Sequence, residues 1–83
     1  MEILITHTYS RDLVYVISKT DKSDYVDVMG RIYPEMYDDD ENPLSENVRE
    51  MDECIQKWNP IKFITLFNNL MTDKNKDFIA TIK

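Results

Sequence analysis

Eighty-three residues, 42% of them hydrophobic, are enough for one compact domain with a single core and leave little room for a deep enclosed pocket. Sixteen acids against ten bases give a formal net charge of −6, so the chain lacks the basic footprint that direct nucleic-acid binding requires. The lone cysteine, Cys54, excludes an intrachain disulfide and the usual zinc sites built from several Cys and His.

The first residues, Met1-Glu2-Ile3-Leu4-Ile5, lack the basic start and apolar stretch of a signal peptide. No run approaches the roughly 18 apolar residues of a membrane span. Together with the single thiol, these features point to a reducing cytoplasm.

Residues 2–6 alternate around Ile3 and Ile5 and predict a first strand. Thr8 to Arg11 is a polar turn. Residues 12–19 are β-branched and aromatic, and their contiguous apolar run predicts a central strand covered on both faces. Asp21 to Asp24 is a turn by composition. Residues 25–33 place Val26, Val28 and Ile32 on one face, with Asp27 and Arg31 on the other. They read as a half-exposed third strand, with Gly30 marking a bulge.

Pro34 closes that strand, and residues 35–43 form an acidic loop. Ser45 is a good N-cap for a helix over 46–58, with Val48, Met51, Ile55 and Trp58 at helical spacing. Asn59-Pro60 both stops that helix and starts the next, over 60–72, with Phe63, Ile64, Phe67, Leu70 and Met71 as its apolar face. Residues 77–82 make a last strand, expected to pair with the first. The predicted order is βββααβ: an α+β domain spanning 1–83, in which a small antiparallel sheet of about four strands carries a two-helix layer on one face.

The charge is distributed unevenly. Residues 21–53 hold twelve acids against three bases, a net −9, whereas residues 1–20 are neutral and residues 54–83 carry +3. Asp38, Asp39, Asp40 and Glu41 lead directly into the helix whose polar stripe is Glu46, Glu50 and Glu53. Like charges concentrated in this way oppose folding through self-repulsion, unless a basic partner repays the cost. Tyr33, Met36 and Tyr37 flank the acids. Tyr37 is the candidate exposed anchor, because aromatic residues beside charge often carry interfaces.

Other chemistry fits less well. Asp38, Asp40 and Asn42 have the spacing of the first three ligands of a calcium loop. The match then fails, with Pro43 where that loop needs glycine and Arg49 where it needs glutamate. His7 and Cys54 are the only nucleophile–base candidates, and they fall on different elements. No metal, cofactor or catalytic set is implied, and the expectation is a protein that is not an enzyme.

In its small size, its acidity and its heavy use of Ile, Asn, Lys and Asp beside a single alanine, Ala80, the chain resembles the small acidic proteins that phages make early to disarm host defence or redirect host enzymes. That resemblance is one of composition. It implies an inhibitor that blocks a nucleic-acid-binding surface, in some cases by imitating DNA. The expected partner-binding residues are Tyr37, Asp38, Asp39, Asp40, Glu41, Glu46, Glu50 and Glu53. The expected partner is a protein with a basic surface, such as a nucleic-acid-handling enzyme. The alternative is a regulatory or structural module, homodimeric through a sheet edge, with no link to nucleic acid.

Overall fold

Alternating β-branched residues give β1 (Glu2–His7), a turn returns the chain as β2 (Leu13–Ser18), and the last strand, β3 (Phe78–Ile82), pairs on the other side of β1. The computed structural model describes Met1–Lys83. It is an α+β fold with a three-stranded antiparallel sheet in the order β2-β1-β3. Three helices follow β2 in the chain: α1 (Tyr25–Ile32), α2 (Glu46–Lys57) and α3 (Pro60–Asp73), with a short 3-10 turn at Pro34–Met36.

The last strand does pair with the first, but the sheet has three strands rather than about four. Residues 25–33 account for the difference. They form a helix, and Gly30 lies within it rather than at a bulge. Val26, Val28 and Ile32 satisfy a two-residue period, yet Tyr25, Met29 and Ile32 also satisfy a helical stripe, and these three are the buried ones. Asp27 and Arg31, one helical turn apart, form an ion pair at 2.5 Å that only the helix allows. The helical layer therefore has three members rather than two.

The position of β2 also differs from expectation. It is an edge strand, and β1 holds the centre. A register shift between Ile5 and Thr6 inserts an extra residue on β2. With that bulge, Val14 and Tyr15 both pack towards the core alongside the buried Ile17. The bulge accounts for Val14 and Tyr15, while Leu13 and Val16 lie on the uncovered face, so the continuous apolar run does not mean coverage of both faces.

All three helices contribute to one core on one face of the sheet. Ile3, Ile5, Ile17 and Ala80 supply the sheet side; Tyr25, Met29, Val48, Met51, Ile55, Phe63, Phe67 and Met71 supply the helix side. Phe63 and Phe67 are fully buried, with ring centroids 5.8 Å apart. The other sheet face carries Leu4, Thr6, Val16 and Thr81 and has no helix over it.

The helix ends follow the sequence closely. Ser45 accepts a hydrogen bond from the Val48 amide at 3.2 Å, and Asn59 accepts one from Lys62 at 3.3 Å, with Pro60 at the first helical position. No helix is long and apolar enough to cross a membrane.

Candidate protein-binding surface

The acidic loop is an ordered miniature hairpin. The Leu44 amide donates to the Met36 carbonyl at 2.8 Å, and Tyr37 bridges to Pro43. Further in, the Asp38 amide donates to Asn42 at 2.9 Å and the Glu41 amide donates to Asp38 at 3.0 Å. Asp39 and Asp40 thus sit at the turn, followed by Glu41 in the left-handed region at φ 63°. This is the three-residue hairpin geometry, in which that position favours glycine. A glutamate there costs on the order of 1 kcal/mol.

Asp38 organises the tip. One carboxylate oxygen accepts from the amides of Asp40 and Asn42, both at 2.9 Å, and the other accepts from the Asn42 side chain at 3.4 Å. The Asn42 amide, followed by the other two donors, holds the Asp38 carboxyl below the ordinary aspartate range. The calcium-like spacing of Asp38, Asp40 and Asn42 is therefore the spacing of a side chain closing its own turn. No three His, Cys, Asp or Glu residues converge on a common point.

Tyr37, expected as an exposed anchor, is buried, with 9% of its surface accessible. Its hydroxyl donates to Asp52 on α2 at 2.5 Å. The ring ties the base of the hairpin to the helix and is not presented to solvent. Met36 beside it is fully buried, while Tyr33 is half-exposed and donates to Glu35 at 2.8 Å.

Asp52 escaped the sequence reading. Burial raises its carboxyl above the ordinary aspartate range, and the hydrogen bond from Tyr37 offsets only part of that rise. The hydroxyl of Tyr25, on α1, is close enough to Tyr37 and Asp52 to feel both, yet it makes no hydrogen bond of good geometry. Burial first, and then these neighbours, push the Tyr25 hydroxyl well above the ordinary tyrosine range. The signal for Asp52 was its spacing: Val48, Asp52 and Ile55 fall on one flank of α2, so an acid there needs a donor from a neighbouring element.

The predicted acids fall into two groups. Asp38, Asp39 and Glu41, with Tyr37 and the Asp27–Arg31 pair, line a groove of about 370 Å³ between α1 and the hairpin. Glu46, Glu50 and Glu53 line a different groove, of about 260 Å³, which they share with Cys54, Lys57 and Lys62. The second group is partly neutralised within the chain. Arg49 pairs with Glu46, and Lys57 pairs with Glu53 at 2.6 Å. That contact with Lys57 lowers the Glu53 carboxyl. By contrast, Asp38, Asp39, Asp40 and Glu41 make no ion pair, and neither does Glu50.

His7 and Cys54 do not meet. His7 packs on Phe78 at 5.0 Å at one end of the sheet, whereas Cys54 is buried on α2 beside the glutamate groove. Burial pushes its thiol up, opposite to the shift that activates a nucleophile. No family model, no curated protein and no solved structure matched the chain.

Proposed function

We propose that this protein acts by contact: it is an acidic inhibitor or modulator whose hairpin tip occupies a basic, nucleic-acid-binding surface of another protein. The observation that carries the reading is the tip itself. Asp39, Asp40 and Glu41 are exposed, make no ion pair within the chain, and project from a turn braced by Asp38 and by the Tyr37–Asp52 bond. A preformed acidic tip loses little conformational freedom on docking, so more of its Coulomb attraction remains as affinity.

The α2 glutamates take a secondary place, because Arg49 and Lys57 already neutralise two of them. Within this reading the target is a nuclease, polymerase or similar machine, as for the phage-type inhibitors that the composition resembles. Affinity capture from a lysate at low and at high salt tests it. Basic nucleic-acid-handling proteins should be retained at low salt and released at high salt. Retention of partners that handle no nucleic acid defeats the proposal.

A further inference from the structure

The two edges of the sheet are treated differently. On the β3 side, Glu2 and Lys83 exchange backbone hydrogen bonds, so by antiparallel alternation Ala80 turns its amide and carbonyl away from β1. Asn68 on α3 caps both groups. Its side-chain nitrogen donates to the Ala80 carbonyl at 3.0 Å, and the Ala80 amide donates to its oxygen at 2.8 Å. A carboxamide thus stands where a fourth strand would sit.

The β2 edge has no such plug at its centre. Val16 lies opposite Leu4, whose backbone groups face β3, so Val16 turns its amide and carbonyl outward. Ser18, next along that edge, is closed by reciprocal bonds with Asp21 at 3.3 Å, but no such bond reaches Val16. No helix backbone bonds to the β2 edge, although α1 flanks it, with Val28 and Ile32 sharing a groove with Val14. Leu13–Ser18 contains no charge and no proline, the usual guards of an exposed edge. Leu13 is 59% exposed beside it, on the uncovered sheet face.

We infer that a second copy of this chain pairs along β2, antiparallel about a two-fold axis at or next to Val16, giving one six-stranded sheet. Three observations favour a second copy over an unrelated strand. An uncharged strand is its own antiparallel complement and needs no other recognition. Residues 1–20 are charge-neutral, so the pairing joins the least repulsive parts of two acidic molecules. The pairing also closes: it consumes both β2 edges and leaves outside only the two β3 edges, each plugged at its centre, Ala80, by Asn68. With Ser18 already closed by Asp21, the free edge is shorter than the six residues of β2 and buries less than the roughly 1,200 Å² of a stable interface, so the dimer is weak and reversible. Each copy carries a net −6, so salt screens the repulsion between whole molecules and strengthens the dimer, opposite in sign to binding through the acidic tip.

Sedimentation equilibrium from about 10 µM to about 1 mM, at two salt concentrations, tests the inference over the range of weak complexes. The expected result is an apparent mass that rises from 9.9 kDa towards twice that value, more readily at high salt, and stops there. Exchange of the Val16 amide should slow as concentration rises. Val16→Lys, with native circular dichroism, should stay monomeric; if that variant does not fold, Leu13→Lys guards the same edge. Asn68→Ala should carry the mass beyond the dimer. A wild type that is monomeric throughout overturns the second-copy assignment. A dimer that survives both lysine variants overturns the choice of edge, and Asn68→Ala halting at the dimer overturns the closure.

Discussion

Replacing Tyr37 by phenylalanine removes one atom and isolates the link between the acidic hairpin and α2. The ring stays to fill its buried place, while Asp52 loses the hydroxyl that donates at 2.5 Å. A hydrogen bond to a charged group contributes about 1.5–3 kcal/mol when its loss leaves the acceptor unpaired. Asp52 is only half-buried, so water recovers part of that, and a net loss of about 1–2 kcal/mol follows. For a domain of this size that lowers the melting temperature by roughly 5–15 °C. Tyr25 sets the spread, because its unpartnered hydroxyl lies beside the same carboxylate and a small rotation would let it substitute. Tyr25→Phe combined with Tyr37→Phe should therefore reach the upper end of the range. The assay is thermal unfolding of the single and double variants, with amide exchange at Leu44, which donates to Met36 at the hairpin base, as the local readout. The Asp52 carboxyl, followed by NMR, should titrate at still higher pH in Tyr37→Phe, because the hydroxyl is what partly offsets its rise. A melting temperature within about 1 °C of wild type, with unchanged exchange at Leu44, would refute the claim that Tyr37 holds the hairpin.

Further outcomes follow from the same geometry. Burial raises Asp52 in the folded state, so the folded protein binds its proton more tightly than the unfolded chain does. From this group alone, stability rises as pH falls from the raised value towards the ordinary aspartate range. The stability difference between wild type and Asp52→Asn, followed by urea unfolding across mildly acidic pH, should shift in favour of wild type as pH is lowered; a parallel pair of curves would rule that out. Glu41→Gly should stabilise the fold by about 0.5–1 kcal/mol by relieving the left-handed glutamate, while weakening partner capture by removing a charge. Loss of stability in that variant would mean that the glutamate makes a contact worth more than its strain.

The sequence carried the helix pair and the first and last strands because each is marked by local chemistry. Ser45 and Asn59 are caps, Pro60 is a first-turn residue, and Ile3 and Ile5 alternate without ambiguity. It misled at Tyr25–Ile32, where eight residues fit a two-residue and a 3.6-residue period at once. The Asp27–Arg31 spacing was the signal that separated them. It misled again at β2, because a bulge turns neighbouring residues towards the core and imitates a strand buried on both faces.

The candidate surface was legible as a list of acids but not as an arrangement. Nothing local to Asp38 distinguishes a carboxylate that closes a turn from one offered to a partner. Nor does anything near Tyr37 announce a hydrogen bond to a residue fifteen positions away. Asn68 was equally silent, because its partner is the backbone of a strand twelve residues on.

Under the proposed function, the exposed tip acids drive encounter with a basic partner. The most direct test is the association rate of the captured partner with wild type and with Asp39→Asn, Asp40→Asn, Glu41→Gln combined, measured at low and physiological salt. Asp38 is kept because it shapes the turn. The expected result is an unchanged fold, a several-fold slower association at low salt, and a difference that shrinks as salt is added, with dissociation little altered. Equal association rates for the two folded proteins at low salt would contradict it and leave the acidic tip as a solvated turn.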